Sequence, residues 1–290
     1  MFAVLNSDSM GRTLIVLILA LIPLCAADDL ETRLARFREV EMPFHADRLS
    51  ARERSMVEKL VEACQHLELI YWEQSDPEAL SLYRKTSDPK LRRLLMINGS
   101  RFDLIDEHKA FVGSEQFQPG RALYPKGLTR ERIEQYVKEH PDKKAEIYDP
   151  YTVVRWKGSD LIGVPYHEAF RTELEAAAKA LREAAALSPD KAFAGFLRLR
   201  ADALLTDNYY ASDIAWLDLK DPKVDLIFAP YETYLDDLLG IKTSYGASIL
   251  IREDSESKRL SVFQQYVPEI QDALPLLSAD RPSKSGHVIG

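Results

Sequence analysis

The stretch Val224–Glu253, VDLIFAPYETYLDDLLGIKTSYGASILIRE, decides how the rest of the chain is read. A short apolar run, Leu226 to Ala229, leads into Tyr231-Glu232-Thr233-Tyr234. An acidic turn with Asp236, Asp237 and Gly240 follows, then a second apolar run from Ala247 to Ile251. Short apolar runs bounded by turn residues are read as strands. In an extended chain, residues two apart share a face, so Glu232 and Tyr234 are expected to project together, about 7 Å apart. Taken alone, a carboxylate near a phenol reads as the solvent face of a strand. The adjacent Asp236-Asp237 pair has a metal-ligand reading and a plainer one, a solvated turn or cap; the plainer one is adopted.

Working outward, the first hundred residues read as helices. Residues 29–38 make a short polar helix. Ser50 with Glu53 three positions later forms a capping box, and Met56, Leu60, Ala63, Leu67 and Ile70 continue at helical spacing to about Trp72. Asp76-Pro77 and Asp88-Pro89 each open a further helix, with proline in its tolerated first turn. Asn98-Gly99-Ser100 is a turn signal and also a glycosylation sequon. Gly113, Pro119, Gly120, Pro125 and Gly127 then mark irregular chain, before Thr129 caps a helix that Pro141 stops. Tyr151–Trp156 and Leu161–Val164 read as a hairpin around Lys157-Gly158-Ser159-Asp160. An alanine-rich helix from Glu173 to Leu187 and a second, capped by Ser188-Pro189 and reaching Leu205, form an antiparallel pair. The final helix starts at Asp254 or Ser255 and reaches Tyr266, and a polar, proline-containing tail follows. The fold class is therefore α+β, with an N-terminal helical region (28–97) and a mixed lobe (98–290).

Composition sets outer bounds. A chain of 290 residues with 46% hydrophobic and 29% charged residues can bury a proper core. The net charge of −8 and the lack of any basic run interleaved with aromatics speak against nucleic acid as a partner. Residues 1–27 read as a signal peptide: Arg12 precedes an apolar stretch from Leu14 to Leu24, and Cys25-Ala26-Ala27 supplies small residues for cleavage. The stretch is short for a membrane span, and Leu24 is large for lipid attachment at Cys25. The expectation is an exported protein, periplasmic or secreted, with no membrane association after cleavage. Cys64 is then the remaining cysteine and reads as a buried, inert thiol.

Self-contained chemistry is hard to find elsewhere. His167-Glu168-Ala169-Phe170-Arg171 begins like a zinc-binding helix, but the second imidazole is replaced by Arg171, so a plain helix start is adopted. His45, His66, His108, His140 and His287 stand at no ligand spacing. Asp213 and Asp218 read as caps or turn residues. Tyr209, Tyr210 and Trp216 read as packing aromatics, with the wall of a peptide cleft as the alternative.

PYETYLDDLLGIKTSYGASILI, FQPGRALYPKGLTRERIEQYVKEHP and Asp213-Ile214-Ala215-Trp216 together resemble the dipeptidyl peptidase III family of zinc metallopeptidases, and most of all its bacterial zinc-dependent hydrolase branch. The resemblance runs from about Asn98 to Arg281 and more loosely into the N-terminal helices. It implies a two-lobed enzyme in which this chain supplies the non-catalytic lobe, with a small β-barrel-like sheet that binds peptide by strand addition. It implies that Glu232 holds the substrate's N-terminal ammonium and that Tyr234 binds substrate and donates to the scissile carbonyl in the transition state. It also implies zinc as cofactor of the full-length protein, held by His-Glu-x-x-Gly-His and a later glutamate. No such motif lies between Met1 and Gly290, so no metal site is assigned here. Two further departures are Pro230 in the substrate strand and an acidic turn about one residue longer than the pattern.

The resulting expectation is an N-terminal, substrate-binding portion of a peptidase, truncated before the zinc region and inactive alone. A non-enzymatic secreted peptide-binding protein is the alternative. A relative turned to other hydrolase chemistry, for instance fused to a Nudix domain, ranks last, since no Nudix box is present.

Overall fold

A computed structural model describes residues 29–42, 45–277 and 279. The expected signal peptide, with Cys25, lies outside the described residues. The structure is mixed helix and strand, as expected from the sequence: helices dominate and the strands form two small antiparallel sheets. Among the described residues these sheets are two-stranded and separate, and no closed barrel forms.

The helices begin where local chemistry starts them. After α1 (29–34), α2 (Ala51–Ser75) opens on a reciprocal capping box. The Ser50 N–H donates to Glu53 Oε2 at 2.7 Å and the Glu53 N–H to Ser50 Oγ at 3.2 Å. The apolar stripe of α2 is buried throughout, with Leu60, Ala63, Leu67 and Ile70 at 0% exposure. Asp76 and Asp88 cap α3 (Pro77–Lys85) and α4 (Pro89–Asn98), each with proline in the first turn. Thr129 caps α5 (Arg130–Glu139), which is followed by α6 (Lys144–Tyr148).

The first sheet is the hairpin of β1 (Thr152–Lys157) and β2 (Asp160–Pro165), in register Trp156↔Leu161 and Lys157↔Asp160. Then come α7 (Tyr166–Ala169), α8 (Arg171–Leu187), α9 (Lys191–Leu204) and α10 (Tyr210–Leu217). The second sheet pairs β3 (Val224–Glu232) with β4 (Ser244–Ile251), and α11 (Asp254–Gln264) and α12 (Val267–Ala273) follow.

Three local expectations need correction. Asn98 is 1% exposed, its Nδ2 donating to Leu94 O and its Oδ1 accepting from the Leu104 N–H, so the sequon is built into the fold rather than offered for glycosylation. The cap of α9 is Asp190, whose carboxylate accepts from the Ala192 and Phe193 N–H groups, while Ser188 only braces Asp190. The polar tail contains α12, because Pro268 sits in its tolerated first turn.

The chain divides into two compact units. One comprises the described residues up to Arg48, His66–Glu173 and Pro230–Gly246. Its core joins Tyr166, Phe170 and Tyr245, whose ring centroids are 5.4–6.2 Å apart. The other comprises Leu49–Gln65, Leu174–Ala229 and the described residues from Ala247 onward, and its core is the alanine face of α8 with Phe193, Phe196, Leu197 and Leu204 of α9. In that unit Arg200, 1% exposed, donates to Asp213 Oδ1 at 2.6 Å and lies 5.4 Å from the rings of Phe196 and Tyr209. Asp213 is thus an arginine partner; Tyr209 is a packing aromatic as expected, whereas Tyr210, read the same way, is 75% exposed and Trp216 is half-buried.

Candidate functional site

Glu232 and Tyr234 belong to the first unit, within Pro230–Gly246. The strand ends at Glu232, and the chain then turns: the Asp236 N–H donates to Thr233 O at 3.0 Å, which places Tyr234 inside a turn. The extended spacing that put the two side chains on one face therefore does not continue past Glu232. Both residues are nonetheless outward. Tyr234 is 84% exposed, Glu232 is exposed, and neither carboxylate nor phenol has a hydrogen-bonding partner among the described residues. The Glu232 main chain is held from the other strand, where Ser244 Oγ donates to Glu232 O at 3.1 Å. Pro230, buried just upstream, has no N–H to offer an incoming strand.

The segment between the strands, 233–243, is organised by buried polar residues. Asp236, expected in a solvated turn, is 3% exposed. Its Oδ1 accepts from the Leu238 and Leu239 N–H groups, and its Oδ2 from those of Ile241 and Lys242. Tyr124 Oη donates to the same Oδ2 at 2.8 Å. Burial raises the Tyr124 phenol above the ordinary tyrosine range, and the adjacent carboxylate adds to the effect. Asp237 faces outward to Arg121, whose Nε lies 3.2 Å from Asp237 Oδ2 and whose guanidinium covers the Phe117 ring at 4.9 Å. Both aspartates are occupied as turn and ion-pair residues, with Asp236 buried where a solvated turn was expected.

Lys242 closes the segment. It is fully buried, and its ammonium donates to Ile147 O, Asp149 O and Thr152 Oγ1, each at 2.6 Å. Burial away from water pulls its pKa down to about 8, against the pull of Asp149 and Asp236. Beside it, Thr243 O accepts from Gln74 Nε2 and from Tyr166 Oη, and Gln74 Oε1 accepts from the Tyr245 N–H. The strand pair thus starts from a buried polar network with little freedom. The sequence placed Asp236 in a turn, where an aspartate carboxylate accepts from nearby main-chain N–H groups, but nothing local announced its burial. Lys242, Tyr124 and Gln74 carried no local signal.

Zinc, implied by the resemblance, requires at least three converging protein donors. Among the described residues no group of three His, Cys, Asp or Glu is placed to hold a metal. His66 Nδ1 is taken by Glu173 Oε2 at 2.5 Å, and burial pushes the Cys64 thiol up to about 12, as befits an inert cysteine. His167 sits in the short helix α7, the plain helix start expected. These residues do not fit a zinc site.

No family model matches the chain. Over 120 residues, 41% of the chain, it is 39% identical to Nudix hydrolase 3 of Arabidopsis thaliana, a stretch that makes up 15% of that protein. Among solved structures it is similar to dipeptidyl peptidase III of Caldithrix abyssi, with a TM-score of 0.80 and 30% identity, covering 88% of this chain and 50% of that one. Dipeptidyl peptidase III of Corallococcus sp. strain EGB gives a TM-score of 0.78 and 29% identity, covering 87% of this chain and 49% of that one. The chain thus spans about half the length of these two proteins. Over that half, its likeness to dipeptidyl peptidase III holds in both fold and sequence, as its motifs implied.

Proposed function

We propose that this chain is the peptide-binding portion of a dipeptidyl peptidase III-like, zinc-dependent hydrolase, exported from the cell by its N-terminal segment. Peptide is its partner, and the zinc-dependent step belongs to residues outside this sequence. The observation that carries the reading is the state of Glu232 and Tyr234. Both are exposed and unengaged at the end of a strand whose following turn is rigidly held, in a fold like that of dipeptidyl peptidase III.

An unengaged carboxylate at a strand end is a ready partner for a peptide's terminal ammonium, and a charged hydrogen bond of this kind contributes about 1.5–3 kcal/mol. The Tyr234 phenol, with an O–H to donate, suits a carbonyl oxygen that gains charge during acyl transfer. On their own these 290 residues bind peptide and do not hydrolyse it. They contain no His-Glu-x-x-Gly-His, and the donors among the described residues form no metal cluster.

The test is an NMR titration of the purified chain with tetra-alanine and with its N-acetylated form, alongside a turnover assay on a dipeptidyl-naphthylamide in the presence of zinc. Glu232→Ala is expected to weaken tetra-alanine binding about tenfold or more, the equivalent of the lost charged contact, and to erase the preference over the acetylated peptide. Unchanged affinity in Glu232→Ala sinks the binding assignment. Sustained turnover by the chain alone sinks the division of labour. A non-enzymatic peptide binder predicts the same titration and differs when the chain is combined with a zinc-bearing remainder of a dipeptidyl peptidase III, where no peptidase activity would appear.

A further inference from the structure

We propose that Asp236 is a positioning residue, which holds the turn presenting Tyr234 and through it sets the affinity for peptide. The proposal rests on the reading that Glu232 and Tyr234 contact the peptide. A phenol that is 84% exposed has no packing of its own to aim it. Its place is inherited from the backbone of the turn, and that backbone is tied at almost every point to one residue. The Asp236 N–H closes the turn on Thr233 O, and the Asp236 carbonyl accepts from the Gly240 N–H, both at 3.0 Å. The carboxylate then gathers the N–H groups of Leu238, Leu239, Ile241 and Lys242 at 2.9–3.1 Å.

Four main-chain donors on one buried carboxylate need its full negative charge and both its oxygens; an amide offers a single acceptor oxygen and two N–H groups of its own. Tyr124, 3% exposed, supplies the fifth donor and links the turn to a separate segment of the same unit. That link is tight. A Cβ at Gly120 would stand 3.0 Å from Tyr124 Cβ and 3.2 Å from Leu238 Cδ2. Leu235 and Leu238 are buried at 4% and 9% exposure, as is Asp236, while Tyr234 faces out between Leu235 and the strand end. With five donors on its oxygens, Asp236 is in no position to touch a ligand itself and acts through Tyr234.

A double-mutant cycle reads this directly, because a residue that works through another loses its effect once the other is gone. Tetra-alanine affinity is measured by NMR titration for the full chain, Asp236→Asn, Tyr234→Ala and the double variant, with far-UV circular dichroism confirming the fold of each. Asp236→Asn is expected to weaken binding about tenfold in the parent and less than about twofold in the Tyr234→Ala background. An unchanged affinity in folded Asp236→Asn, or a full loss that persists without Tyr234, overturns the proposal. Should Asp236→Asn fail to fold, Tyr124→Phe, which removes one donor and leaves the carboxylate, is run through the same cycle. It is expected to cost about threefold in the parent and nothing without Tyr234, and an equal loss in both backgrounds overturns the proposal. If Glu232→Ala and Tyr234→Ala themselves leave affinity intact, the peptide-binding reading falls and takes the proposal with it. That pattern is distinct from failure of the cycle alone.

Discussion

The two strand pairs differ most in what joins their strands. In β1–β2 the link is Gly158-Ser159, with Gly158 at φ +64°, and the register of the whole hairpin follows from the loop. In β3–β4 the link is the segment 233–243, far too long to carry its own geometry. Its shape is borrowed: Asp236 gathers its N–H groups, Tyr124 anchors Asp236, and Lys242 nails the far end to Ile147, Asp149 and Thr152. A short link is an inexpensive way to pair two strands. A long one held by buried polar groups can carry exposed side chains in a set place, which a two-residue turn cannot.

Three perturbations sharpen this contrast beyond the binding experiments above. The largest effect is expected in the hairpin, at Gly163. A Cβ there would collide with the carbonyl oxygen of Glu146 and come within 3.1 Å of Thr152 Oγ1, so α6 and β2 must separate. Gly163→Ala should destabilise the first unit by about 2–3 kcal/mol, read as a lowered urea midpoint with an unchanged slope. A neutral outcome would show that the hairpin is as adaptable in its packing as it is independent in its turn.

Next in size is the pH response of Lys242. Its folded pKa of about 8 lies below that of an unfolded lysine, so the unfolded state binds more protons at alkaline pH. Stability from this group therefore rises as pH increases from about 8, until the raised phenol of Tyr124 starts to oppose it near pH 10. Over that window the parent should gain about 2 kcal/mol relative to Lys242→Met, measured by urea unfolding at each pH. A parallel pair of pH profiles would mean that the ammonium is not the form the burial opposes. The smallest effect belongs to Gly158→Ala, where a side chain meets open space but an unfavourable positive φ, for a loss of about 1 kcal/mol. A larger loss would mean that the hairpin, too, depends on contacts beyond its turn.

Much of the architecture was legible because its causes lie within a few residues. The Ser50–Glu53 capping box, the aspartate–proline helix starts, the apolar stripe of α2 and the Gly158 turn all rest on neighbours along the chain. Where two local cues competed, the nearer hydrogen-bond geometry won. Asp190 took the cap of α9 from Ser188 because its carboxylate reaches two N–H groups ahead of it. Glu232 and Tyr234 were singled out from the sequence, but strand spacing was the wrong reason to group them, since the chain leaves the strand at Glu232.

By itself, then, the sequence determined the helix starts, the hairpin, the α+β class and a likeness to dipeptidyl peptidase III that the solved structures bear out. Only the tertiary structure decided that Asp236 is buried and Asn98 sealed, and that Lys242 is an anchor instead of a surface charge. The physical reason is distance along the chain. Tyr124 meets Asp236 across 112 positions and Lys242 meets Thr152 across 90, so nothing near either residue announces its partner. Whether a charge in a polar segment is solvated or buried depends on the donors and acceptors that folding brings to it.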